Sequence, residues 1–212
     1  MNFNQPLNHI LGQLSKIKIL RFMIHAGLPM NGREIAKAVG LSHVRCHTIL
    51  KELSEQGIVT LRKIGRSTAY EIQPNHIVVK HWLKPLFREE KHLTKRFART
   101  VTSHLSVKPV SVILFGSMAR KEDRSGSDID MLLIMPGKAN LRKCKRELSG
   151  AEEAVTQLYG NHLSPLLIKH NLFIAKLKRG DRFLKEVLSD GQQIYGKTIT
   201  ELLSNESGQD SR

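Results

Sequence analysis

The string Ser127-Asp128-Ile129-Asp130 sets two carboxylates two residues apart. In an extended chain side chains alternate between faces, so both acids project to one side while Ile129 and Met131 take the other. Two hard oxygen ligands side by side suit a small divalent cation such as Mg2+ or Mn2+. Upstream stand Gly116 and Ser117, where the apolar run Val110 to Phe115 ends and the helix-forming Met118-Ala119-Arg120 begins. A strand that delivers a glycine and a hydroxyl to a helix start suits a phosphate, because backbone amides point outward there and no Cβ blocks close approach. The pattern as a whole reads as a phosphate site beside a divalent-cation site.

Those groups need a rigid frame. Val110 to Phe115 and the run continuing through Met131-Leu132-Leu133-Ile134 predict two buried strands. A helix over Leu141 to Tyr159 precedes a strand-like stretch from Asn161 to Lys169. The spacing of Phe173, Leu177, Phe183, Leu184 and Val187 predicts one amphipathic helix from Leu172 to Leu188, and Gly191 to Gly196 predicts a short terminal strand. Lys176, Lys178, Arg179 and Arg182 form a basic cluster that reads as a solvated helix end ahead of a face toward an anionic acceptor.

The segment Leu-Phe-Gly-Ser-Met-Ala-Arg from Leu114, then a polar loop, then Ser-Asp-Ile-Asp-Met-Leu-Leu to Leu133, resembles the DNA polymerase beta-like nucleotidyltransferase superfamily, particularly its minimal members. The resemblance implies that Gly116 and Ser117 hold the terminal phosphates of a nucleoside triphosphate, with Arg120 and Ser127 supporting, and that Asp128 and Asp130 hold the metal and serve catalysis. In such enzymes an in-line attack on the alpha phosphorus releases pyrophosphate. They also place a third carboxylate on a later strand. Asn161 to Lys169 contains no acid, and Ser164 or Pro165 takes the expected position. The expectation is weakened metal binding, with nucleotide oxygens supplying the missing ligands.

The first third of the chain has a different pattern. Leu14, Ile17, Leu20 and Ile24 predict the inward face of a helix ending before Gly27. Asn31 with Glu34 forms a capping-box pair opening a short helix that closes at Gly40. Ser42 caps a third helix to Gln56, with Cys46, Ile49, Leu50 and Leu53 inward. Ile58 to Lys63 and Thr68 to Ile72 form a hairpin. This order resembles the winged helix-turn-helix family. The resemblance implies double-stranded DNA as partner, contacted by Ser42, His43, Arg45, His47, Thr48 and Lys51 on the third helix and by Arg62, Lys63 and Arg66 at the hairpin tip. His43 and His47 have the spacing of a metal pair but lack a third ligand in sequence.

Charge supports the same division. The 212 residues carry a formal charge of +15, of which residues 1–74 and 75–109 hold +6 each and residues 110–212 hold +3. A basic first half fits a polyanion, whereas the second half mixes its acids among bases. The chain reads as an N-terminal winged helix over residues 1–74, a linker helix over 75–108 bent at Pro85, a mixed α/β nucleotidyltransferase-like sheet flanked by helices over 109–203, and a frayed tail over 204–212. In fold class it is α+β with α/β character. The linker helix is amphipathic and suits either packing on its own domain or pairing with a twin in a homodimer. Cys46 and Cys144 fit neither a disulfide framework nor a zinc spacing. The N-terminus lacks an apolar signal region and no apolar run reaches membrane length, so a cytoplasmic location without membrane contact is expected.

Three functions fit these residues. The chain is a DNA-localised nucleotidyltransferase acting on an unspecified acceptor, or a transcriptional regulator whose degenerate transferase domain senses nucleotide, or an antitoxin-like partner of a small toxin protein.

Overall fold

The computed structural model describes residues 5–65, 67–120, 122 and 127–204. The chain divides into two compact units, Met1–Lys91 and His92–Arg212. No described helix is long and apolar enough to cross a membrane.

In the first unit α1 (Pro6–Leu11) and α2 (Leu14–Ala26) precede a two-residue strand β1 (Met30–Asn31). Asn31 then opens α3 (Gly32–Val39) with the reciprocal pair expected: its side chain accepts from the Glu34 amide at 3.0 Å while the Glu34 carboxylate accepts from the Asn31 amide at 2.9 Å. The helix stops at Gly40, whose φ of 66° is the left-handed conformation that a glycine adopts freely. Ser42 caps α4 (His43–Glu55), and β2 (Val59–Ile64) and β3 (Ser67–Ile72) form the hairpin. All pairings in the sheet β1-β3-β2 are antiparallel. Ile19, Leu20, Ile35, Cys46, Ile49, Leu50, Leu53 and Ile58 fill the core beneath it. Helices α2, α3 and α4, with the short strand β1 between the first two and the hairpin after the last, define a winged helix-turn-helix.

The face that α2 buries differs from the pattern expected. Lys16, Ile19, Leu20 and Met23 are buried, whereas Leu14 is 67% exposed. Lys16 accounts for the difference. Its ammonium donates to the His9 carbonyl at 2.9 Å and pairs with Glu52 at 2.7 Å, so its stem packs inward with its charge satisfied.

A π-helical turn, Val79–Leu83, leads into α5 (Lys84–Ser103). Pro85 lacks an amide to continue the regular ladder, which places the irregular turn immediately before it. The segment assigned to a linker contributes Phe87 to the first core and Phe97 and Val101 to a second.

The second unit is built on a four-stranded sheet in the order β6-β5-β4-β7: β4 (Ser111–Phe115), β5 (Ile129–Met135), β6 (Leu163–Lys169) and β7 (Gln192–Gly196). Strand β4 pairs antiparallel with β5 and β7, and β5 pairs parallel with β6. A parallel neighbour needs a crossover, supplied by α7 (Leu141–Tyr159). Ile129, Met131 and Leu133 pack against α5 and α7 on one face, while Leu132 and Ile134 pack on the other against α8 (His170–Lys178) and α9 (Arg182–Asp190).

The helix expected from Leu172 to Leu188 is therefore two helices. Gly180, at φ 80°, turns the chain between them, and Asp181 caps the second by accepting from the Leu184 amide at 3.0 Å. Ser204, the first residue of the expected tail, closes α10 (Ile199–Ser204), and residues 205–212 lie outside the described residues.

Candidate functional site

The acidic pair sits where β4, β5 and β6 align. In the ladders Phe115 is opposite Asp130, and Asp130 is opposite Ser164. Register thus brings Gly116, Asp130 and Ser164 together from three separate segments. Gly116 has φ 73°, and a Cβ added there would meet the Asp130 carboxylate. Glycine is required on both counts: the left-handed backbone and the room left for the acid. Ser117 and Met118 follow in a single helical turn, α6 (Gly116–Ala119). Four residues sum few peptide dipoles, so the expected helix-end attraction for phosphate reduces to local amides.

Strand β5 begins at Ile129, so Asp130 lies within it and the exposed Asp128 immediately precedes it. Asp130 shares its face with Leu132 and Ile134. Burial and then the Asp128 charge push the Asp130 carboxyl above the usual carboxylate range, while the neighbouring Ser164 hydroxyl pulls the other way. The exposed Asp128 therefore repels the half-buried Asp130 beside it. Such a pair fits a divalent cation, whose charge relieves both causes. Among the described residues no three His, Cys, Asp or Glu cluster as a metal site, in keeping with a serine at the β6 position.

The Asn161 amide donates to the Ser127 carbonyl at 2.9 Å and fixes the approach to Asp128, a contact that no sequence pattern signals. Arg120 is exposed and pairs with Glu122 at 2.9 Å, which raises its guanidinium further.

On the first unit, His43, Arg45, His47, Thr48 and Lys51 are all exposed on α4, as are Ser42 before it and Arg62 and Lys63 on β2. Arg66 lies outside the described residues. The Arg45 guanidinium donates to Gln13 at 3.1 Å, and the Thr48 hydroxyl donates back to the Val44 carbonyl at 3.1 Å. Val44 is 76% exposed at the start of this face. An apolar residue reads as a core position until the helix phase is known. On a DNA-facing surface it suits contact with a thymine methyl.

The second unit thus has the frame of a nucleotidyltransferase-type α/β domain: a strand, a Gly-Ser turn, and an Asp-any-Asp motif at the next strand. Residues 99–200 match the family model for polymerase beta nucleotidyltransferases. The chain carries a domain of that family. A comparison with curated proteins gives no match. Among solved structures, the antimony-specific transcriptional repressor AntR is 18% identical over 42% of this chain and 75% of its own, with a TM-score of 0.35. A homodimeric winged helix-turn-helix DNA-binding domain from Mycobacterium bovis is 16% identical over 45% of this chain and 91% of its own, with a TM-score of 0.28. The archaeal chromatin protein TrmBL2 is 14% identical over 97% of both chains, with a TM-score of 0.28. At these TM-scores the winged-helix assignment rests on element order and strand register alone.

Proposed function

We propose that this chain is a DNA-binding protein whose nucleotidyltransferase-family domain binds a nucleoside triphosphate with Mg2+ or Mn2+ and uses it as a signal. Asp128 and Asp130 would hold the cation, and Gly116 and Ser117 would meet the phosphates beside them. Arg120 and Ser127 would contribute further contacts to the nucleotide. A bound cation would neutralise phosphate charge and polarise the phosphorus centre. Ser164 carries the choice of binding over transfer: it stands opposite Asp130 in the ladder, where a carboxylate would accept a proton from an acceptor. The DNA reading is supported by the exposed basic face of α4 and by Arg62 and Lys63 on the hairpin, within a segment of charge +6.

Calorimetry with ATP, GTP, CTP and UTP plus Mg2+ tests the nucleotide reading. Saturable binding to wild type, lost when Asp128→Asn and Asp130→Asn are combined, is expected without labelled product in a transfer assay. Product formation would instead establish catalysis. For DNA, Arg45→Ala with Lys51→Ala should weaken binding to the protein's own promoter, and salt should weaken wild-type binding steeply. Unchanged promoter retention in the double variant removes α4 from the recognition role.

A further inference from the structure

Between α4, the start of α3 and strand β3 lies an open cleft of about 400 Å³. Arg33, His43, His47, Ser67, Thr68 and Tyr70 line it. Every one of these side chains carries a hydrogen-bond donor, and no carboxylate is among the lining residues. Glu34, the nearest acid in sequence, is turned onto the Asn31 amide by the capping box. Among the described residues no carboxylate pairs with the Arg33 guanidinium. The two imidazoles stand one helical turn apart with ring centroids separated by 6.3 Å. A cation between them would face that guanidinium, whereas an anion is favoured by all three groups.

Within α4 the exposed residues divide. His43 and His47 line the cleft, while Arg45 is held toward Gln13 and does not. We propose that the cleft seats a phosphodiester of the duplex backbone, so that His43 and His47 with Arg33 are phosphate ligands rather than readers of base edges. The proposal rests on the DNA reading above and deepens it. The shared chemistry is a tetrahedral phosphate bearing negative oxygens, met by a guanidinium fork, two ring N–H groups and the Ser67 and Thr68 hydroxyls. Such contacts fix the register of α4 on the duplex and carry no sequence information. Arg45, Thr48 and Lys51 are left as the residues that discriminate between bases.

Fluorescence anisotropy of the full chain with two unrelated duplexes of about 24 base pairs, from about 50 to about 250 mM KCl, tests this assignment. Arg33→Gln, and separately His43→Gln combined with His47→Gln, should weaken both duplexes by the same factor, roughly tenfold. Arg33→Gln should also reduce the slope of log affinity against log salt by about one. These side chains are exposed, and matching thermal melts will show that the fold survives. A loss confined to one duplex would make the histidines base readers and overturn the proposal, as would wild-type affinity and slope in both variants. Wild type that binds neither duplex at any salt would overturn the DNA reading itself. Inorganic phosphate, followed by histidine ring resonances, separates a second source. Saturable shifts at His43 and His47, with DNA affinity intact in the variants, would assign the seat to a free anion and also overturn the proposal.

Discussion

Asp130 and Ser164 lie opposite each other across the parallel pair β5 and β6, so both side chains project to the same side of the sheet. A position at which an acid would complete a metal site thus holds a neutral hydroxyl that partly quiets the acid beside it. Ser164→Asp should reverse this. Three clustered carboxylates repel, so the melting temperature should fall in chelator and rise again with Mg2+, by roughly 3 °C or more each way. Labelled-nucleotide transfer, measured on wild type and on the same variant, tests whether a third acid raises turnover.

Asp130 itself should cost the fold stability when ionised. Its folded pKa lies above the unfolded value, so its contribution is most favourable below the unfolded carboxylate range and is lost as pH rises through the folded value. Asp130→Asn removes that loss. Thermal melts should place the variant about 2 °C above wild type at pH 7, with the difference vanishing below about pH 3.5. A variant less stable than wild type at pH 7 would contradict the burial and repulsion described.

Gly116→Ala should harm both stability and ligand binding. The residue has φ 73°, and its new methyl would meet the Asp130 carboxylate. A cost of about 1–3 kcal/mol in denaturant unfolding is expected, together with loss of nucleotide binding in calorimetry. Gly137, where nothing lies within 4 Å of an added Cβ and φ is not left-handed, serves as the control and should tolerate alanine with little change.

Lys16 separates packing from charge. Lys16→Met keeps the buried stem and releases Glu52, whose side chain is 40% exposed and can be hydrated. Its stability in urea should remain within about 1 kcal/mol of wild type. Lys16→Ala also empties volume beside Leu20 and Met23, and should cost about 2 kcal/mol or more.

Local signals carried much of the architecture. The Asn31 and Glu34 cap, the Ser42 cap and the apolar runs of β4 and β5 each act over a few residues, and each stands where the sequence places it. Features set by distant partners were not legible. Strand β1 is two residues long and exists through its pairing with Ala69 and Tyr70. The inward face of α2 turns on Lys16 finding the His9 carbonyl and Glu52. The break between α8 and α9 was hidden because Leu177 and Leu184 stay near one helical phase across Gly180. At the site, the spacing of Asp128 and Asp130 was visible, but the choice between Ser164 and Pro165 needed the register of a parallel ladder.

Pro165 has a separate consequence. Strand β6 forms one border of the sheet, and Leu166 there is 43% exposed. A greasy border strand invites unplanned lateral growth, with one chain after another adding to the ladder. Proline has no amide hydrogen to offer, so the residue following Ser164 also interrupts the template along which such growth would spread.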